Sequence, residues 1–168
     1  MGLRANYCLV TDDEARALVK AAGEGEEAFG ELAEQLLEAS ELGLDIDKMW
    51  DILHFILTGV ASDEPPEDDA LSESIVGVDA FDIDDYAALT EAVRVPDIAA
   101  ALEALDCEAA MAGFSMRAGA EAELYPDVWD DEDEWDDLQE EIRSCLAAMR
   151  AFYTAAVASG QHVLVTIW

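Results

Sequence analysis

The chain has 168 residues, of which 52% are hydrophobic, so it is long enough for one domain with a real core and too apolar for wholesale disorder. Forty acidic residues against eight Lys and Arg give a formal net charge of −32. That balance argues against nucleic-acid binding through phosphates and against docking on an anionic membrane, and it would attract a basic protein or divalent cations.

In chain order, Leu3, Ala5, Tyr7 and Leu9 alternate with Arg4, Asn6, Cys8 and Val10, which predicts a strand. Thr11-Asp12-Asp13-Glu14 has the form of a capping box, so a helix should start there and run to about Ala22, where Gly23 and Gly25 break it. Ala28, Phe29, Leu32, Ala33, Leu36 and Leu37 mark a second helix that ends before Gly43. The block Leu44 to Gly59 reads as a mostly apolar, buried helix, with Asp45 as N-cap and Gly59 as its stop.

Residues 62 to 69, with Pro65, Pro66 and five acids, form a loop; Ser74 to Phe81 and Tyr86 to Val95 read as extended pieces. Pro96 suits the first turn of a helix through Leu105, with Ile98, Leu102 and Leu105 on one face. Met111 to Glu123 fits no single pattern. A long helix follows from about Asp131 to Ala158, presenting Trp135, Leu138, Ile142, Cys145, Met149, Phe152 and Ala156 at spacings of three and four. Val163 to Trp168 closes the chain as a strand that can pair with the first. Mostly helical sequence with a few strands, and no regular strand–helix alternation, predicts an α+β fold. We expect a single domain over residues 1–168, with about five helices packed on a small mixed sheet that includes both terminal strands.

One polar stripe stands out. Asp47, Asp51, His54 and Thr58 are spaced by four, three and four, so a helix from Leu44 would carry them on one face amid apolar neighbours. Two carboxylates and an imidazole beside a buried surface could share a proton or hold a divalent metal. On this reading His54 is the acid/base and Asp51 its orienter or a metal ligand, while Lys48, Trp50, Tyr125 and His162 complete a pocket. A structural reading stands beside it: Asp47 in the first turn favours the helix dipole, and His54 hydrogen-bonds a backbone carbonyl.

The same block, with Leu44, Asp45, Ile46, Asp47, Lys48, Trp50, Asp51, Leu53, His54, Phe55, Leu57, Thr58 and Gly59, resembles the hallmark of the YfbM-like family, small bacterial proteins of unknown function. Met1-Gly2, Leu71-Ser72, Ile75-Val76-Gly77, Leu124-Tyr125-Pro126 and Gly160-Gln161-His162 resemble other family segments in the same order, so the likeness spans nearly the whole chain. It implies a bacterial origin and the family's fold, and it brings no established activity. The chain is more acidic than the family pattern, above all in Asp127–Glu141, where ten of fifteen residues are acids around Trp129 and Trp135. That segment lacks the central glycine of an EF-hand loop, and its two tryptophans are interface anchors or edges of the core.

The three cysteines, Cys8, Cys107 and Cys145, are odd in number and widely spaced, which predicts reduced thiols and neither a disulfide framework nor a zinc knuckle. No run reaches the ~18 apolar residues of a membrane span, and the N-terminus lacks a signal-peptide core, so a cytoplasmic location is expected. Phosphate loops, GxGxxG and GxSxG motifs are absent. Two functions follow as expectations. The first is a non-enzymatic acidic protein that binds a basic protein, in the manner of an immunity protein or a nucleic-acid mimic. The second is a small-ligand or metal-binding protein, or a hydrolase-type enzyme, with its pocket around Asp47, Asp51 and His54. No organic cofactor is expected, and nothing in the sequence sets an oligomeric state.

Overall fold

Residues 2–168 are described by a computed structural model. The N-terminal strand β1 (Ala5–Val10) and the C-terminal strand β5 (His162–Ile167) pair antiparallel along their full length, from Ala5 opposite Ile167 to Val10 opposite His162. With β2 (Gly43–Asp47), β3 (Asp79–Ala80) and β4 (Tyr86–Thr90) they form one sheet in the order β2-β1-β5-β4-β3. Every pairing is antiparallel, so the sheet is not mixed.

Both faces of this sheet are covered, which explains why β5 is apolar at nearly every position. Cys8, Val10 and Leu164 point toward α1 (Asp12–Glu24) and α2 (Glu26–Ala39), where Leu18, Phe29 and Ala33 are buried. Ala5, Tyr7, Val163, Val165 and Ile167 point the other way, into the larger core built by the remaining helices. These are α3 (Trp50–Thr58), α4 (Ala70–Val76), α5 (Val95–Ala104), α6 (Cys107–Ala112), α7 (Met116–Glu121) and α8 (Trp135–Ser159). The fold is thus α+β, with eight α-helices among the described residues rather than about five. The unforeseen ones are α4, α6 and α7, each of six or seven residues. Two turns of helix are too short for an apolar period to emerge.

The capping box is present as expected. The Glu14 amide donates to Thr11 Oγ1, and the Thr11 amide donates to the Glu14 carboxylate at 2.7 Å. The long helix also follows its pattern, burying Leu138, Ile142, Leu146, Met149 and Phe152. At about 1.5–3 kcal/mol for each large apolar side chain, that stripe supplies on the order of 10 kcal/mol toward docking α8.

Two segments depart from the sequence reading. Within Ser74–Phe81 only Asp79 and Ala80 are strand, as β3, and the segment opens instead as the end of α4. Asp69 caps α4 by accepting the amides of Leu71 and Ser72, and the helix runs on to Val76. Its last carbonyls are then taken by three tyrosine hydroxyls: Tyr153 donates to Ser74 O, Tyr7 to Ile75 O and Tyr86 to Val76 O. A helix end buried in a core needs such donors, because its final carbonyls have no partner within the helix. Gly77 follows with φ 74°, and a Cβ there would lie 2.8 Å from the Ala88 Cβ, so glycine is required where the chain turns back to the sheet.

The second departure concerns Leu44–Asp47, which is strand and not helix. Leu44 and Ile46 enter the core while Gly43 and Asp45 face solvent. The chain then turns through Asp47 at φ 48°, with the Asp47 amide donating to Asp45 Oδ1 and the Met49 amide to Ile46 O. Helix α3 begins only at Trp50.

Candidate functional site

The late start of α3 removes Asp47 from the helical stripe. It sits at the end of an edge strand, where its carboxylate and that of Asp45 both pair with Arg4, at 3.2 and 2.6 Å. Neither residue caps α3 or complements its dipole. Asp51 and His54 do lie on α3, one turn apart, and both are buried.

Asp51 works as a clamp between two loops. Its Oδ1 accepts the Ser62 amide at 2.9 Å and the Ser62 hydroxyl at 2.7 Å, and its Oδ2 accepts the Tyr125 amide at 2.9 Å. Trp50 completes the same junction: its ring stacks on Tyr125 with centroids 5.4 Å apart, and its indole N–H donates to Leu3 O. Thus the structure brings together three of the residues singled out from sequence, Trp50, Asp51 and Tyr125, at the point where the N-terminal segment, the loop after α3 and the cis Tyr125-Pro126 turn meet.

His54 is fully buried and bonded at both nitrogens. Nδ1 lies 2.9 Å from the Val60 carbonyl, which can only accept, so Nδ1 carries the proton. Nε2 therefore accepts the Ser72 hydroxyl at 2.7 Å. Burial lowers the imidazole pKa below its usual value, against the opposing pull of the Val60 carbonyl, which keeps the ring neutral. A serine donating to a neutral imidazole has the atoms of a nucleophile–base pair, and Ser72 escaped the sequence reading because a serine inside a short helix carries no signal. The pair is sealed, however. His54 is 0% and Ser72 1% exposed, and neither lines either of the two cavities that flank this region. The pair joins α3 to α4 in the core.

The remaining candidates are dispersed. His162 opens β5 and does not meet His54. Its Nδ1 accepts the Ala92 amide at 2.9 Å, so Nε2–H donates to Asp12 at 2.7 Å. Trp129 is buried, donates to Leu124 O, and packs edge-on against Phe114, while Trp135 packs at a tilt against the same phenylalanine. Both belong to the core or its border. Lys48 is exposed beside Asp47 on a cavity of about 350 Å³ whose rim includes Glu134, Asp137 and Glu141. Among the described residues no three His, Cys, Asp or Glu side chains converge as a metal ion would need, so Asp47, Asp51 and His54 do not form a ligand set.

A larger cleft, of about 490 Å³, opens beside the Trp50 junction. Leu3, Trp50, Pro65, Val76, Tyr86 and Ile167 wall it, and Asp63, Asp84 and Asp85 are its acids. The Asp84 and Asp85 amides donate to Glu26 Oε1, which fixes that loop against the start of α2. Its signal in the sequence is divided among six separate segments, and of its lining residues only Trp50 is among the candidates read from the sequence.

Residues 1–166 match the model of a domain of unknown function, DUF1877. The chain is 32% identical over 126 residues to the protein YfbM of Escherichia coli strain K12, covering 74% of this chain and 75% of that one. Its fold superposes on the crystal structure of YfbM from Escherichia coli, a protein of unknown function, with a TM-score of 0.81 and 25% identity over 98% of this chain and 99% of that one. No helix is long and apolar enough to cross a membrane among the described residues. A hallmark block that builds β2, the turn and α3, the clamp of Asp51 on the Tyr-Pro turn, and these likenesses agree: the chain belongs to the DUF1877, or YfbM-like, family.

Proposed function

We propose that this protein is a non-enzymatic acidic binding protein whose partner is a basic protein. One observation carries the reading: nearly all of its cations are spent internally while most of its acids are not. Arg4, Arg16, Lys20, Arg94, Arg117 and Arg143 each pair with a carboxylate of this chain. Arg150 is turned inward to the carbonyls of Leu102 and Leu105. Forty acids thus face eight cations that are nearly all committed, and neutralisation has to come from outside. Meanwhile Asp51 and His54, the polar residues best suited to chemistry, are saturated by loop and helix contacts. The same acidity in a cytoplasmic protein would steer association with a cationic surface.

The test uses a fluorescein-labelled hexa-arginine peptide as probe, with hexa-glutamate as control. Exposed charges more than about 8 Å apart are screened at physiological ionic strength. We expect saturable, one-to-one binding of hexa-arginine that survives at that ionic strength and weakens as salt rises further. Binding seen only at low salt, with a stoichiometry that climbs as peptide is added, would be counterion-like condensation and would overturn the proposal.

A further inference from the structure

We infer that the cleft beside Trp50 is the docking point for an arginine side chain of that basic partner, an inference that rests on the function proposed above. The chemistry of the cleft is divided in a way that fits a guanidinium on an apolar stem. Its walls are apolar and aromatic: Leu3, Trp50, Pro65, Val76, Tyr86 and Ile167. Leu3 is 47% and Tyr86 38% exposed, which is unusual for large apolar groups sharing one concave site. The polar atoms of these walls are already used. Trp50 Nε1–H donates to Leu3 O and Tyr86 O–H to Val76 O, so the aromatic groups offer surface rather than hydrogen bonds.

The charged groups are the reverse. Among the described residues, the carboxylates of Asp63, Asp84 and Asp85 form no ion pair or hydrogen bond, although most cations of the chain are held by other acids. They come from two loops, 62–69 and 82–85, that approach the cleft from different elements. The backbone of the second loop is held by Glu26, which positions Asp84 and Asp85 beside the cleft. Three unpaired acids around an aromatic floor complement a cation whose flat face can lie on a ring and whose N–H groups can reach carboxylates. Arginine meets both demands better than lysine, whose compact ammonium is more strongly hydrated.

Two variants test this with the hexa-arginine probe at physiological ionic strength. The first is Asp63→Asn with Asp84→Asn and Asp85→Asn. The second removes as much charge elsewhere, through Glu31→Gln, Glu34→Gln and Glu38→Gln on the exposed side of α2. Three exposed ion pairs together are worth roughly tenfold in affinity. We expect about that loss in the cleft variant and little change in the α2 variant. The Trp50 indole N–H resonance should shift on titration, and hexa-lysine should bind more weakly than hexa-arginine. Equal weakening by both variants, or a Trp50 signal that does not move, would overturn the cleft while leaving the acidic binding function intact. Absence of saturable binding to the unmodified protein would remove that function and the cleft with it. Both variants lower the net negative charge at exposed positions, so matching thermal midpoints confirm that folded proteins are being compared.

Discussion

Replacing Asp51 should be among the most damaging single changes in this protein, and the damage should be to stability. Its carboxylate accepts three hydrogen bonds, two of them from the backbone amides of Ser62 and Tyr125. A hydrogen bond to a charged group contributes about 1.5–3 kcal/mol, and a buried amide left without an acceptor costs about 1–3 kcal/mol. Asp51 is 7% exposed, so water can reach one edge and recover part of the loss. Asp51→Ala should therefore cost about 4 kcal/mol, a large share of the 5–15 kcal/mol that typically holds a domain together. Asp51→Asn is the finer probe. One amide oxygen can satisfy Ser62 or Tyr125, but its –NH₂ must then face a donor at the other site, which predicts about 2 kcal/mol. Urea unfolding measures both, and hydrogen exchange should show the Ser62 and Tyr125 amides deprotected together in Asp51→Ala and one of the two in Asp51→Asn. A cost within about 0.5 kcal/mol, the range of ordinary surface substitutions, would refute the clamp and return Asp51 to the list of groups held ready for a ligand.

The buried His54 makes a pH prediction. Its folded pKa is lowered by burial, so in acid the unfolded chain takes up a proton before the folded protein does. Stability should fall as pH drops through the unfolded value of about 6.5 toward the folded one, with a slope of up to about 1.4 kcal/mol per pH unit, and His54→Gln should lose that component in parallel urea titrations. An unchanged slope would contradict a neutral buried ring. Gly77→Ala introduces a Cβ 2.8 Å from Ala88 at φ 74° and should cost roughly 2–4 kcal/mol, read from thermal unfolding; a neutral effect would show that the turn after α4 relaxes freely. Cys8 is buried with its thiol pushed up to about 12, so Ellman's reagent should leave it unlabelled in the native protein and modify it only on unfolding. Mass mapping of a labelled native Cys8 would disprove its burial.

The parts legible in the sequence were those whose periodicity ran long enough to be unambiguous. Thr11 and Glu14 mark the start of α1, the apolar stripe from Leu138 to Ala156 marks α8, and alternation in the N-terminal segment and the apolar run that closes the chain mark the two strands that pair. Leu44-Asp45-Ile46-Asp47 was misread because two periods overlap there. Leu and Ile alternating with Asp is a strand pattern, whereas Asp47 stands four residues before Asp51 and seven before His54, which is a helical one. The tertiary structure resolves the conflict by pairing Leu44 with Tyr7, and a turn at Asp47 separates the two periods. The long-range partners were illegible for a different reason: Ser62 and Ser72, which saturate Asp51 and His54, lie 11 and 18 residues away in a loop and a short helix without regular pattern.

The division of labour inside the hallmark block bears on where function can reside. Asp51 and His54 face inward and hold neighbouring segments, so substituting them changes the position of everything they hold. Trp50, one residue earlier, belongs to both systems: it stacks on the Tyr125 turn that Asp51 anchors, and it forms a wall of the acidic cleft. Ser62, which Asp51 fixes by two bonds, is a wall residue of that same cleft and adjoins Asp63. A clamp on Ser62 therefore sets the position of a charge at the cleft rim. Loss of Asp51 would then weaken a cationic ligand indirectly, by loosening Asp63 and Trp50, and Asp51→Asn would give a smaller loss than direct neutralisation of the rim. If Asp51 instead contacted the ligand, its replacement would weaken binding more than the rim substitutions while leaving both the Ser62 and the Tyr125 amide protected. Measuring affinity and amide protection on the same Asp51→Asn protein separates the two roles.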